Sequence, residues 1–279
     1  MTDRFPEFEP LASNLPDYTV IDGEIIPFRD GAPLGFQVLQ TRIGRKNVSK
    51  KILKEAPVVL MAYDLLEWEG RDIRELPFSQ RRDLLEQLTA LPECAALIQV
   101  SPLVAFNDWQ TLSNERDDSR KYHCEGLMLK HREAPYRQGR KKGEWWKWKV
   151  DPMTVDAIMI YAQQGHGRRA NLFTDFTFAV WDGDALVPFT KAYSGLTDAE
   201  FGEITRWVRK NTLERFGPVR SVEAVQVFEL AFEGINASSR HKSGVALRFP
   251  RILRWRKDKS PEEANTLQDL KDMLESYGE

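Results

Sequence analysis

The residues best suited to chemistry fall in short runs spread along the chain. Glu24 follows the turn-like dipeptide Asp22-Gly23, and Glu125 precedes Gly126. Either carboxylate could ligate a metal ion; either could equally be an exposed strand or turn residue. Tyr63 stands inside an apolar run, as a core residue or as a platform for a base. Trp145-Trp146-Lys147-Trp148-Lys149 alternates aromatic with lysine. A strand would put Lys147 and Lys149 on one face, either simply solvated or turned toward an anion. Arg256-Lys257-Asp258-Lys259 adds a second cationic cluster.

The charges nearly cancel, and a net −2 taken alone argues against a nucleic-acid binder. Their placement argues the other way. Residues 120–149 hold ten Lys/Arg against three acids, and residues 240–259 hold eight against one. The acids collect in residues 1–30 and 260–279. Segregated charge makes a strong local field under a near-neutral total. Two solvated basic loops are the plain alternative.

The elements that must position these residues are legible in outline. Residues 57–67 are almost continuously apolar, as in a strand buried on both faces. Residues 18–28 suggest strand, turn and strand, with Asp22-Gly23 as the turn. Residues 79–90 fit an amphipathic helix capped by Ser79. In it Arg81, Arg82, Asp83 and Glu86 face water, and Leu84, Leu85 and Leu88 face inward. Further strands are predicted at 98–104, 126–130 and 145–149, a helix at 108–121, and a basic loop at 134–144. The character changes at Val150-Asp151-Pro152. Short strands follow at 155–161, 174–181, 186–193 and 225–232, with a helix from Asp198 to Asn211 between them. That pattern suggests a small barrel of the OB type. A final helix is expected over 261–276, with Ser260 as cap and Pro261 first.

Composition narrows the setting. The chain has 279 residues, which suits two domains, and no run of about 18 apolar residues that would span a membrane. The first residues lack a secretory leader's apolar region. Two cysteines, Cys94 and Cys124, form neither a metal-like pair nor a disulfide framework, which favours a reducing cytoplasm. No Gly-x-x-x-x-Gly-Lys-[Ser/Thr] loop occurs, and Gly165-His166-Gly167 is too short for a dinucleotide fingerprint.

Order adds what single motifs lack. Along the chain stand Asp22-Gly23-Glu24, then Ala62-Tyr63-Asp64-Leu65-Leu66, then Glu125-Gly126-Leu127-Met128-Leu129-Lys130. Trp146-Lys147-Trp148-Lys149 follows, and Arg248-Phe249-Pro250-Arg251 runs into Arg256-Lys257-Asp258-Lys259. The series resembles, in order, motifs III, IIIa, IV, V and VI of the ATP-dependent DNA ligases, within the covalent nucleotidyltransferase superfamily. It covers about residues 1 to 270. Arg42-Ile43-Gly44-Arg45-Lys46 and Gly165-His166-Gly167-Arg168-Arg169 resemble a bacterial subgroup.

The resemblance implies an α+β chain. Residues 1–150 would form a partial nucleotidyltransferase (adenylation) domain, and residues 151–279 an OB-type β-barrel domain with a C-terminal helix. It also implies ATP as cofactor, donating AMP, with Mg2+ or Mn2+. A lysine would attack the α-phosphate, AMP would pass to a 5′-phosphate, and the 3′-hydroxyl would displace it. Such steps are carried by positioning and cationic stabilisation. Lys147 and Lys149 would hold the α-phosphate, and Tyr63 would stack on adenine. Glu125 and Glu24 would serve the metal, with ribose a second role for Glu24, and Lys130 would belong to the nucleotide site. Arg256 and Lys259 would orient the leaving pyrophosphate. Arg42, Arg137, Arg140, Lys141, Arg168 and Arg169 would grip nicked duplex DNA. A bacterial, nucleoid-associated monomer is expected if the protein is complete. A non-catalytic nucleic-acid-binding module and an RNA-directed nucleotidyltransferase are the competing readings; the block from Arg248 to Lys259 argues for DNA.

One part of the pattern is missing. The family's nucleophile lies in Lys-x-Asp-Gly ahead of the Asp-Gly-Glu element, yet no lysine precedes Asp22 and no Lys-x-Asp-Gly occurs anywhere. The expectation is an N-terminally truncated chain, deficient in self-adenylation, with 57–67 left as an open sheet edge and a complementary fragment as partner.

Overall fold

The apolar run becomes an eleven-residue strand, Val58–Trp68. In this computed structural model, residues 2–45, 47–139 and 141–278 are described, and the chain divides into units 1–150 and 151–279. The architecture is α+β. In the first unit Val58–Trp68 pairs antiparallel with Val20–Arg29 on one edge and parallel with Ile98–Val100 on the other. Residues 57–67 are therefore not the open edge expected from the sequence. Among the described residues no strand pairs with the other edge of residues 20–26, and the free backbone lies there.

Asp22-Gly23 is not a turn. Val20–Arg29 is one continuous strand of ten residues through that dipeptide. A local preference for a hairpin yields to long-range pairing with Val58–Trp68, whose inward side chains join Leu11, Leu85, Leu88 and Ile98 in a common core.

The helix Phe78–Thr89 covers this core, with Leu85 and Leu88 buried against it. Its charged face departs from expectation. Arg81 is fully buried and Arg82 nearly so. Arg81 turns inward because Asp64, a carboxylate within the apolar strand, needs a partner there. Ser79 is not the cap either. The helix starts after Pro77, and the N–H groups of Phe78 and Ser79 donate to the Ala134 and Arg132 carbonyls, both at 3.0 Å.

The second unit is built on the long strand Met153–Gln164. Its first half pairs with Val227–Phe232 and its second half with Val219–Val222, while its other edge carries Phe173–Asp182. Ala185–Ala192 extends one side and Arg251–Trp255 the other. The two ends meet where the Ile252 N–H donates to the Ser194 carbonyl at 2.9 Å, closing an OB-type barrel. Phe176, Phe178, Phe228 and Phe232 fill it, and the helix Asp198–Lys210 packs Phe201, Ile204 and Val208 against that filling. Thr197 and Glu200 form the helix's capping box.

The expected C-terminal helix is interrupted. Ser260 and Pro261 open a single turn, Pro261–Glu263, and a new helix, Leu267–Tyr277, starts at Thr266. Between them Asn265 is drawn out to Asp156: its amide donates to the Asp156 carbonyl and its side chain accepts from the Asp156 N–H, at 2.9 and 2.8 Å. Among the described residues no helix is long and apolar enough to cross a membrane.

Candidate active site

Gly23 brings Glu24 to its neighbouring strand. Gly23 pairs with Ala62 so closely that a Cβ would lie 2.6 Å from the Met61 carbonyl oxygen. The register then skips: Asp22 pairs with Asp64, which leaves Tyr63 without a partner across the ladder. Such a bulge re-aims the extra side chain. Tyr63 donates its hydroxyl to Glu24 Oε2 at 3.1 Å. Burial first, and the Glu24 charge next, push the Tyr63 hydroxyl well above its usual range, so it remains a protonated donor.

Glu125, Lys147 and Lys149 belong to a two-stranded ribbon, Gly126–Lys130 with Trp145–Lys149. Gly126 has φ +139°, and a Cβ there would collide with the backbone of Trp148 and Lys149. This contact lets Glu125 reach across. Its carbonyl accepts from the Val150 N–H at 3.0 Å, and its carboxylate accepts from Lys149 Nζ at 2.7 Å. Partners across the ribbon share a face. Met128 stands opposite Lys147 and Lys130 opposite Trp145, so both exposed lysines face one way. Trp146 and Trp148 face the other, where Trp148 meets Trp109 edge-on at 6.0 Å and Arg116 at 4.8 Å.

Desolvation by surrounding protein raises the Cys124 thiol first, and the charges of Glu24 and Glu125 raise it further. Among the described residues no three His, Cys, Asp or Glu side chains gather to hold a metal unaided. Magnesium needs only one or two carboxylates when phosphate oxygens and water complete its shell, and Glu24 and Glu125 are carboxylates that could supply them.

Lys130 lies beneath. Its ammonium donates to the Tyr63 carbonyl at 3.1 Å, stands 3.7 Å from Asp64, and sits 4.1 Å from the Trp145 ring and 4.7 Å from that of Phe78. Burial lowers its pKa, against the pull of Asp64 and Asp22. Lys130 therefore supports the Tyr63 backbone from below. Tyr136 supports Asp22 in turn, donating its hydroxyl to Oδ2 at 3.0 Å; burial and that carboxylate push the phenol up to about 12. Asp22, Asp64, Arg81 and Tyr136 were not singled out as site residues by sequence. The one available signal was Asp64, an acid in an apolar run.

In the second unit Arg256 and Lys259 converge on Asp156. Arg256 Nη1 donates to Oδ2 at 3.1 Å and Lys259 Nζ at 2.6 Å. The far side of Arg256 chelates Asp258, whose carboxyl is held at about 2 chiefly by that contact.

The residues expected at DNA divide. Arg42 is corrected: it is fully buried, bonded to Glu7 and to the carbonyls of Arg4 and Ala56, and its guanidinium lies 4.8 Å from the Phe5 ring. A guanidinium spent inside the fold has no donor left for a phosphate. Lys141 and Arg168 are exposed. Arg137 is exposed between Glu75 and Glu144, at 3.5 and 3.6 Å, and Arg169 pairs with Asp198 at 2.7 Å. Arg140 lies outside the described residues.

The chain is similar to known proteins along most of its length. Residues 1–149 match the ATP dependent DNA ligase domain, and residues 169–259 its C terminal region. A probable DNA ligase of Koribacter versatilis (strain Ellin345) is 36% identical over 99% of this chain and 51% of its own length. A DNA ligase of Methanoculleus marisnigri is 32% identical over 100% of this chain and 49% of its own. The chain thus spans about half the length of these relatives. A Pmar-Lig structure shares the fold with TM-score 0.66 at 19% identity, over 91% of this chain and 55% of that one. A Lig E DNA ligase does so with TM-score 0.58 at 20% identity, over 85% and 76%. With one family model matching more than half its residues and another matching the barrel, the chain belongs to the ATP-dependent DNA ligases.

Proposed function

We propose that this chain supplies the nucleotide- and nick-handling part of an ATP-dependent DNA ligase, which joins a 5′-phosphate to a 3′-hydroxyl through enzyme-AMP and DNA-AMP intermediates. The observation that carries the reading is the ribbon face bearing Lys147 and Lys149, with Lys149 bonded to Glu125, beside the pair that Glu24 and Tyr63 form on the sheet of the same unit. Two lysines on a rigid strand are point charges suited to phosphate oxygens. The Tyr63 ring offers a face to adenine while its hydroxyl holds Glu24. Magnesium or manganese, held by Glu24 and Glu125 with phosphate oxygens, would neutralise charge developing at phosphorus. Arg256 and Lys259 orient pyrophosphate in the first step, and Arg137, Lys141, Arg168 and Arg169 follow the backbone of nicked duplex DNA. The cytoplasm of a bacterium, at the nucleoid, is the setting this reading implies.

In the sealing step the 3′-hydroxyl oxygen bonds to the 5′-phosphorus as the anhydride bond to AMP breaks. AMP leaves with the electron pair, and the hydroxyl proton passes to water. The ribbon lysines keep the reacting oxygens in line and offset their charge. No Lys-x-Asp-Gly occurs in these residues, so self-adenylation is not assigned to them.

The test uses two substrates. With α-labelled ATP and magnesium, the chain is expected to give no labelled covalent band on a denaturing gel. With a nick already carrying 5′-AMP, it is expected to seal weakly, and K147A/K149A to abolish sealing. Absence of sealing by the parent chain while it still binds the nick would overturn the reading.

A further inference from the structure

Residues 20–26 form a sheet edge with no neighbouring strand among the described residues, and the bulge opposite Tyr63 falls within that stretch. Gly23, at the bulge, has no side chain to pack. A stretch so placed has little to keep it from opening locally. Yet the contact between Tyr63 and Glu24 depends on it.

One side chain reaches this edge from outside the sheet. Tyr136 is half-buried, and its hydroxyl donates to Asp22 Oδ2 at 3.0 Å. Among the described residues no other side chain donates a hydrogen bond to that carboxylate. Tyr136 is itself fixed. Its N–H donates to the Arg74 carbonyl at 2.7 Å, its ring meets Trp145 edge-on at 5.3 Å, and the Arg81 guanidinium lies 6.0 Å from the ring centre. Arg81 grips Asp64, and Asp64 pairs across the ladder with Asp22. The contacts therefore close a circuit around the bulge, from Asp22 to Tyr136, Arg81, Asp64 and back.

We infer that Tyr136 is a positioning residue for strand sealing: through Asp22 it holds the bulge in the register that aims Glu24 at Tyr63. It does for this edge what a neighbouring strand would do. The consequence for sealing rests on the ligase reading; the tether itself does not.

Y136F removes the hydroxyl and keeps the ring. In hydrogen exchange of the full chain, residues 20–26 should exchange on the order of tenfold faster in Y136F, as loss of a hydrogen bond to a charged group implies. The barrel strand Val227–Phe232 should keep the parent rate. Single-turnover sealing of a nick already carrying 5′-AMP should slow on the order of tenfold at saturating DNA, with nick affinity within about twofold of the parent. D22A should also slow sealing, and Y136F/D22A should be no slower than D22A, because one residue acts through the other. Y122F, at an exposed tyrosine outside the circuit, should match the parent throughout. A tyrosine serving stability alone would lower affinity and rate together. Unaltered exchange at residues 20–26, an unaltered sealing rate in Y136F, or additive losses in Y136F/D22A would overturn the inference. If the parent chain does not seal, the ligase reading falls, and the exchange measurement still decides whether Tyr136 holds the bulge.

Discussion

Arg81 grips Asp64 with two parallel hydrogen bonds, Nε to Oδ1 at 2.8 Å and Nη2 to Oδ2 at 2.9 Å, and neither side chain reaches solvent. The same guanidinium donates to the carbonyls of Leu76 and Ala134. It therefore joins the central strand, the covering helix and the loop leading to Tyr136. R81A strands a buried carboxylate and should cost about 3–5 kcal/mol. D64L/R81L removes both charges but leaves the Leu76 carbonyl without its donor, at about 1–3 kcal/mol, while the Ala134 carbonyl keeps the Phe78 N–H. Urea unfolding should accordingly place the double variant between parent and R81A; a double variant as stable as the parent would show that the carbonyl contacts contribute nothing.

The bond from Tyr136 to Asp22 gives a pH signature. The phenol is raised from 10.0 to about 12 in the folded chain. A raised acid binds its proton more tightly when folded, so this contribution is complete below pH 10 and lost as pH rises toward about 12. Y136F should be less stable than the parent at pH 8, and the gap should narrow across that alkaline window. Thermal melts of the two proteins measured side by side test this; a gap that widens with pH would contradict it.

Arg42 and Lys141 should separate folding from DNA grip. R42A leaves Glu7 and two carbonyls without their donor, and should cost about 3 kcal/mol of stability without changing the salt dependence of DNA binding. K141A and R168A should each stay within about 0.5 kcal/mol of the parent in stability. Each should also lower the slope of log affinity against log salt by about one. A reduced slope in R42A would return Arg42 to the DNA surface.

Asp156 competes with any anion for Arg256 and Lys259. D156N keeps the side chain's shape and removes its charge. It should tighten pyrophosphate binding several-fold while costing about 2 kcal/mol of stability, as expected when charged hydrogen bonds become neutral ones. Calorimetry paired with denaturation measures both; weaker pyrophosphate binding in a folded D156N would reverse the role given to Asp156.

Much of the frame was legible where a signal is local. The apolar run 57–67 marks its strand, the helix expected from Asp198 to Asn211 is found at Asp198–Lys210, and the period-two lysines mark a shared face. What escaped depends on partners far along the chain. Asp22-Gly23 has every local mark of a turn, and only its pairing with Asp64 and Ala62, forty residues on, straightens it. Arg81 has the surroundings of a solvated helix residue until Asp64 claims it. Arg42 sits in a basic run typical of DNA contact, yet Glu7, thirty-five residues earlier, takes it into the core. Buried ion pairs are poorly legible because each partner looks like a surface residue on its own.

The ribbon Trp145–Lys149 holds two chemistries on one backbone, the ammonium groups of Lys147 and Lys149 on one side and the indoles of Trp146 and Trp148 on the other. Substituting one residue there changes one contact. Adding or deleting one residue between Trp145 and Lys149 would exchange the sides, sending lysines against Trp109 and tryptophans toward phosphate. The ribbon is thus tolerant of altered letters and intolerant of altered length. A scan of single-residue insertions should find a sharply bounded interval between Trp145 and Lys149 in which none is accepted.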